Sequence, residues 1–314
     1  MLILAAVFVL AVLWGRYPEP GFLSLDVLRR DPLARALLVN LRLPRSVFAV
    51  LLGASLAAGG AVLQSVLGNP LVEPGFLGVS QGAAFGAALA ILLSGGERWP
   101  VPLSAAFFGL CGLGLSWFLA RRIRYGGSIL RLVLAGVVVS AFFSSGLGVL
   151  KYMADPRSEL PEMTFWMMGG LVSADWRAVL STAPPVLLIL GAVLAVRWRV
   201  NLLALDDRSA FALGSSPGRE RTVLLVLVVG AVAAVTAVAG IVSWVGLLVP
   251  HLARKAVGAD SARSLPLAII IGAVFVLVCD AASRSLLAGE IPLGLITALS
   301  GAFLFALLMT RRNR

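Results

Sequence analysis

Charged residues are scarce in this sequence. Charged residues make up 13% of the 314 residues and hydrophobic residues 60%. A water-soluble globule of this size needs more polar surface than that composition supplies, so the expected surroundings are lipid. Continuous apolar runs recur that reach the roughly 20 residues a helix needs to cross a bilayer core. They lack the alternating pattern of strands that span a membrane.

Cysteine, histidine and nucleotide-binding motifs are equally scarce. Cys111 and Cys279 each lie inside an apolar run and His251 stands alone, so the sequence indicates neither a disulfide nor a metal site. A Gly-x-x-x-x-Gly-Lys-[Ser/Thr] motif is missing, which excludes a P-loop in this chain. We therefore expect no cofactor here, and if ATP is used, it would bind with its magnesium to another protein.

Acidic residues are few, at 15 against 26 Lys and Arg. The basic residues fall in short clusters between apolar runs, as membrane topology requires, so no nucleic acid is expected as a partner. Loops rich in Lys and Arg stay in the cytoplasm. This rule places the clusters at 121–124, 197–221, 254–263 and 311–314 inside and predicts that both termini are cytoplasmic.

The apolar runs predict an all-α, polytopic transmembrane helix bundle of about ten spans, with a single transmembrane domain over 1–314 that includes the cytoplasmic segment 200–221. The first run is interpreted as a span rather than a signal peptide, because it lacks a basic start and a clear cleavage site. The stretch 222–257 is split in two near Gly240 and Ser243. The predicted spans are 1–14, 44–67, 76–94, 101–120, 129–150, 179–196, 222–242, 244–257, 265–288 and 293–310.

The connections carry further predictions. Residues 68–75 form a tight turn by their Pro and Gly content, and 151–178 form a long outer loop. The first outer loop, 15–43, breaks the charge rule, which indicates a function for its basic residues. With the edge of the next span it carries Arg16, Arg29, Arg30, Arg35, Arg42 and Arg45.

Residues 200–221 form the longest predicted cytoplasmic connection. Within it, residues 204–214 begin with acidic residues and end on Gly214, which predicts a short helix capped at both ends. A short helix below a bundle suits docking by a partner protein. A solvated linker without a partner is the alternative.

Polar residues inside the predicted spans are candidates for a pathway. Asp280 must face protein or water rather than lipid, either as a relay group or as a group hydrogen-bonded between helices. Ser140, Ser144 and Ser145 could line an aqueous path or bond back to their own helix.

Several strings match one family in the same order along the chain. They are RLPR at 42–45 with GASLAAGGAVLQ at 53–64, NPLVEPGFLGVS at 69–80, WMMGG at 166–170, NLLAL at 201–205, GLLVPH at 246–251 and EIPLG at 290–294. Over nearly its whole length the chain resembles the cobalamin, haem and iron-siderophore permeases of type II ABC importers.

This resemblance implies a translocation subunit that is not itself an enzyme, in the cytoplasmic (inner) membrane of a prokaryote. It implies a homodimer with the pathway on its two-fold axis, surrounded by lipid. Two ATPase subunits would bind inside and a substrate-binding protein outside. The expected function is import of a metal chelate, such as cobalamin, haem or an iron-siderophore, by alternating access.

The resemblance also implies roles for individual residues. Arg42, Arg45 and Arg284 correspond to arginines that dock the binding protein, and the pathway would be lined by the fifth and tenth spans. The chain departs from the family at Asp206, where a glycine is usual. The segment that couples to the ATPase would contain Ala204, Leu205, Ala210, Leu213 and Gly214.

Two other functional classes and the substrate stay open. A secondary transporter could use Asp280 and Glu290 as relay carboxylates, and a membrane enzyme could use Asp206 and Asp207 with a metal. Residues 166–170 and 175–177 are similar to cobalamin permeases, whereas 155–156 and 160–161 are similar to iron-chelate or oxyanion relatives.

Overall fold

The apolar runs fold into long helices, and several of the polar stretches between them fold into short ones. The computed structural model describes residues 2–17, 19–94, 100–287 and 289–310. The helices are α1 (Leu2–Leu13), α2 (Leu25–Arg30), α3 (Pro32–Leu37), α4 (Leu43–Val66), α5 (Val79–Leu93), α6 (Pro100–Arg122), α7 (Ser128–Met153), α8 (Glu159–Met168), α9 (Trp176–Ala195), α10 (Arg197–Leu203), α11 (Asp207–Ala212), α12 (Pro217–Ala239), α13 (Val245–Val257), α14 (Ser261–Ser283) and α15 (Leu293–Thr310).

Each of the ten predicted spans coincides with one of these helices, which confirms the all-α, polytopic fold. Seven helices in the described part of the chain are long and apolar enough to cross a membrane. The other three, α1, α5 and α13, have 12, 15 and 13 residues, so the number ten is approximate. Helix α14 ends at Ser283, before the predicted limit. Met1, residue 288 and the basic tail 311–314 lie outside the described residues.

Helix α4 forms the centre of the bundle and is buried along almost its whole length. It contacts α9, α12, α13 and α14. Its small residues allow this, because they let neighbouring backbones approach closely. A Cβ atom added to Gly53 would lie 2.1 Å from the carbonyl oxygen of Gly272, and one added to Gly60 would lie 1.9 Å from that of Gly246. The small residues of α4 therefore pack backbone against backbone with α13 and α14.

The predicted break after span seven is also present. Helix α12 ends at Ala239, and Gly240 follows with a φ of +66°. Residues 240–244 are not helical, and α13 begins at Val245. Trp244 has a φ of +73°, a left-handed conformation that side chains other than glycine rarely adopt. The chain therefore crosses the bundle here as a non-helical segment followed by a short helix.

The connections are more ordered than the sequence predicted. Residues 151–178, predicted as a loop, contain α8, whose first turn carries Glu159 and Glu162 where the helix dipole favours acid. The outer segment before α4 contains α2, α3 and a π-helical turn at Leu38–Arg42. A two-residue strand pair, β1 (Trp14–Gly15) and β2 (Gly21–Phe22), precedes them. The predicted turn at 68–75 leads into a 3-10 turn at Pro74–Leu77, and Val72 is buried.

The contact between α4 and α14 is expected to be intolerant of side-chain volume. Gly272→Val should destabilise the protein by about 1–3 kcal/mol or more, because its Cβ would lie 2.3 Å from the Gly53 carbonyl oxygen. The thermal unfolding midpoint in nanodiscs measures this. Gly191→Ala is the control, since nothing lies within 4 Å of a Cβ there. Equal midpoints for the two variants would contradict the close approach.

Candidate functional site

Arg45, at the start of α4, lies in an ion cluster between three parts of the fold. Its Nε atom donates to Oδ1 of Asp280 on α14 at 2.7 Å. Its two Nη atoms donate to the carboxylate of Glu290, in the connection before α15, at 2.9 and 2.5 Å. The side chains are 12%, 0% and 27% exposed in the order Arg45, Asp280, Glu290. A planar guanidinium group can satisfy two carboxylates in this way, whereas an ammonium group has no such fork.

Arg284 extends this cluster toward the first helix. Its Nε atom lies 3.2 Å from Oδ2 of Asp280, an ion pair without hydrogen-bond geometry. Its Nη atoms donate to the carbonyl oxygens of Trp14, at 3.2 Å, and Ala11. Arg284 thus donates hydrogen bonds to carbonyl groups at the end of α1 that have no partner within the helix.

Arg42, the last residue of the π-helical turn that leads into α4, acts on the same helix end. Its Nη atoms donate to the carbonyl oxygens of Leu13 at 3.3 Å and Tyr17 at 3.2 Å. Its guanidinium group packs against Gly15, where a Cβ would lie 2.3 Å from Nη2. Arg42 and Arg284 therefore fasten α1 to α4 and α14.

The structure brings the three arginines that the resemblance assigns to docking into one region and gives each an acceptor within the chain. Arg16 also donates to the carbonyl oxygen of Leu287. Part of the unexpected outer charge is thus explained by internal partners. Arg29, Arg30 and Arg35 are exposed on α2 and α3. Docking of a binding protein by Arg42, Arg45 and Arg284 stays a prediction.

The relay carboxylates of the secondary-transporter hypothesis have structural partners. Asp280 joins α14 to α4 through Arg45, which is the interhelical alternative considered from the sequence. Glu290 accepts both hydrogen bonds from the same arginine. Their position in a charge-neutralising cluster disfavours an ion relay through these two groups.

The predicted coupling segment contains the short helix expected from its sequence. Asp206 caps α11 by accepting from the Ser209 backbone N–H at 3.0 Å, and hydrogen bonds from Ser209 lower the pKa of the Asp206 carboxyl. Gly214 has a φ of +80°, which glycine adopts readily. Ala210 is buried and Ala204 is exposed. Three large apolar side chains are exposed although the connection is polar: Leu205 at 43%, Phe211 at 73% and Leu213 at 61%.

The carboxylates of the enzyme hypothesis are used elsewhere. Asp206 caps a helix and Asp207 pairs with Arg221. Within the described residues, no group of three or more His, Cys, Asp or Glu side chains could hold a metal ion. These two aspartates therefore hold α11 in place.

The candidate pathway serines share one helix. Ser144 and Ser145 are exposed on α7 and Ser140 is half-buried. Exposed apolar side chains surround them on this helix, among them Val137, Val138 and Phe142. This face needs lipid or another chain to cover it, and its role as a pathway stays a prediction.

Two polar residues at the broken crossing were missed by sequence reasoning. Gln64 Nε2 donates to the carbonyl oxygens of Gly246 at 3.1 Å and Leu247 at 3.2 Å. Glu73 accepts from the Trp244 N–H at 3.3 Å. They hold the start of α13 against α4 and the 67–78 connection. The sequence showed only an amide residue near the end of an apolar span and an acidic residue in a predicted turn. Neither indicates which groups the side chain bonds.

The long apolar helices around α4, the broken crossing and the exposed apolar side chains of the predicted coupling segment are those of a polytopic membrane permease. The FecCD transport family matches residues 3–311, and the chain belongs to that family. It is therefore a permease subunit of an ABC importer and a multi-pass protein of the bacterial inner membrane.

The relatives are similar over nearly their whole length. The chain is 36% identical to the molybdate import system permease protein MolB of Haemophilus influenzae, over 100% of this chain and 94% of that protein. It is 38% identical to the Fe(3+) dicitrate transport system permease protein FecC of Escherichia coli, over 90% and 85%. A solved structure described as a metal-chelate type ABC transporter in an inward-facing conformation has a TM-score of 0.90 and 37% identity, covering 98% of this chain and 96% of that one.

Loss of Arg45 should destabilise the fold more than loss of an exposed arginine. Arg45→Gln leaves the fully buried Asp280 with only Arg284 as a cation, and breaking a buried pair typically destabilises by about 3–5 kcal/mol. Denaturant unfolding in nanodiscs at low and high salt measures the change, which should persist at high salt. Arg29→Gln is the exposed control and should change stability by less than about 0.5 kcal/mol. A salt-screened or negligible effect of Arg45→Gln would show that the cluster is not structural.

Proposed function

We propose that this chain is the translocation subunit of a binding-protein-dependent importer that moves a metal chelate into the cytoplasm. It works as a homodimer with two ATPase subunits, which hold the ATP and magnesium, and receives its substrate from an extracytoplasmic binding protein. The observation that carries the proposal is the 0.90 TM-score to a metal-chelate type ABC transporter across both chains. Movement follows alternating access, with the ATPases closing on ATP and reshaping the bundle through the coupling segment.

The exposed apolar residues support a partner at the coupling segment. Leu205, Phe211 and Leu213 project from a connection that also contains Asp206 and Arg208. Apolar side chains grouped in a polar surface mark an interaction site, and a short helix presenting them suits a groove in another protein. An ATPase groove is the partner we propose.

The uncovered faces of α7 and α15 support a second copy. In the most apolar part of α15 only 17% of residues are buried, and Leu299 and Phe303 are 76% and 65% exposed. On α7 the exposed face carries Ser144 and Ser145 among apolar residues. A pathway between two such faces would be weakly polar, so it could release what it accepts.

An oxyanion is the second candidate substrate. The molybdate permease matches all of this chain, and the ferric dicitrate permease matches 90% of it. Both substrates carry negative charge around a metal centre.

The test is reconstitution of this protein with its ATPase in nanodiscs. ATP hydrolysis would be measured alone and with the binding protein loaded in turn with ferric dicitrate, haemin, cobalamin or molybdate. We expect one loaded binding protein to stimulate hydrolysis above the unloaded protein. If no ATPase forms a complex with this protein, the proposed importer function would be refuted. If only the binding protein loaded with molybdate stimulates hydrolysis, the proposed substrate becomes the oxyanion instead of the metal chelate.

Arg42 provides a test of docking that leaves the ion cluster intact, since its hydrogen bonds go to backbone carbonyls. Arg42→Glu should weaken binding-protein docking about five- to tenfold, with a larger effect at low salt because the opposing surface would be acidic. Surface plasmon resonance on nanodiscs measures the affinity. Arg263→Glu, on the predicted inner face, is the control. Unchanged affinity in a folded Arg42→Glu variant would remove the docking role.

A further inference from the structure

The coupling segment is fastened to the bundle at two places, and the first is the start of α12. Arg221 donates through Nη2 to the carbonyl oxygens of Leu203 at 2.9 Å and Leu205 at 3.1 Å. It also pairs with Asp207 on α11, and its side chain is 14% exposed. This contact joins α10 and α11 to the helix that follows them directly in the chain.

The second place is the turn between α13 and α14, which is remote in sequence. Asn201 on α10 donates from Nδ2 to Oδ1 of Asp260 at 2.7 Å. Its own Oδ1 accepts from the Ser261 N–H at 2.7 Å. The hydrogen bond from Asn201 contributes most to lowering the pKa of the Asp260 carboxyl. One amide therefore uses both its donor and its acceptor on the start of α14.

The two hydrogen bonds of Asn201, to Asp260 and Ser261, form a tether, and Asp260 also caps α14. The same Oδ1 atom caps α14 by accepting from the Ala262 N–H at 2.9 Å. A neighbouring bond strengthens the junction, because Arg197 Nε donates to the Ala262 carbonyl oxygen at 3.1 Å. Helix α10 and the start of α14 are thus held as one unit.

Helix α14 connects this unit to the ion cluster. It begins after Asp260 and carries Asp280 near its other end, in the cluster with Arg45. Its 23 residues correspond to roughly 35 Å at 1.5 Å per residue. Arg221 cannot make this link, since it joins elements that are already adjacent in the chain.

We propose that Asn201 is the positioning residue through which the coupling segment moves α14, and with it the arginine cluster at the other end of the bundle. The inference rests on the proposed function, because it requires an ATPase that moves α11. Displacement of α10 and α11 is transmitted to α14 by the two hydrogen bonds of Asn201 rather than only through the chain into α12.

The test variants exchange the side chains of Asn201 and Asp260. Asn201→Asp places a carboxylate against Asp260 and removes the donor, so the bond is lost. The double variant Asn201→Asp/Asp260→Asn restores one donor and one acceptor in the opposite direction. Arg263→Gln is the matched control: it removes the 4.0 Å ion pair between the 78% exposed Arg263 and Oδ2 of Asp260 and leaves both hydrogen bonds of Asn201 in place.

Each variant would be reconstituted with the ATPase and binding protein, and uptake of ferric dicitrate, haemin, cobalamin and molybdate would be measured per ATP hydrolysed. Nitroxide labels on Arg208→Cys and Ala259→Cys, in a Cys111→Ala/Cys279→Ala background, report whether α11 and the α13–α14 turn move together. This second readout needs no transported substrate. Co-purification with the ATPase shows that the complex forms.

We expect Asn201→Asp to keep the ATPase bound while uptake per ATP falls about fivefold, the effect of losing one net hydrogen bond. The nitroxide distance should stay constant on ATP binding in the wild type and change in Asn201→Asp. The double variant should recover both readouts, and Arg263→Gln should match the wild type.

The outcomes separate the two proposals. Wild-type coupling and an unchanged distance in Asn201→Asp would overturn the tether while the importer stands. Loss of coupling without recovery in the double variant would show general damage and would also overturn it. If the wild-type chain assembles with no ATPase, the importer itself fails and the tether falls with it.

Discussion

The constraint on which this structure depends is that polar groups at membrane depth must find their partners inside the protein, because lipid offers none. Asp280 is fully buried and is neutralised by Arg45 and Arg284. The carbonyl groups at the end of α1 receive arginine donors. Gln64 and Glu73 bond backbone groups at the start of α13. The end of α1 and the break before α13 are thus both paired with long polar side chains from other parts of the chain.

The same constraint explains why the helices lie so close together. Lipid removes the hydrophobic driving force between helices, so packing depends on contact. The glycines of α4 allow the carbonyl groups of Gly272 and Gly246 to approach within a distance that a Cβ would block. Helix α4 is therefore the fixed element around which α13 and α14 are arranged. The faces of α7 and α15 remain uncovered, which suits the proposed pathway between two copies.

The two ends of the bundle are organised differently. One end joins α1, α4 and α14 through ion pairs and hydrogen bonds that are mostly shielded from solvent. The other exposes apolar side chains in and beside α11 and fastens that segment by hydrogen bonds of Asn201 and Arg221. This difference suits the proposed importer, in which an ATPase would bind and move the coupling segment while the helices stay packed. Helix α14 contributes residues to both ends of the bundle.

The sequence by itself determined the class of fold, since long apolar runs can be satisfied in lipid only as helices. It also located the break near Gly240 and the short capped helix within 204–214. Its ordered strings also indicated the family. Tertiary structure decided the partners of Arg42, Arg45 and Arg284, and revealed helix α8 inside a predicted loop. Hydrophobic periodicity reports which residues face lipid or core, whereas the ion pair of Arg45 with Asp280 joins residues 235 positions apart. Only the packing of α4 against α14 brings those charges together.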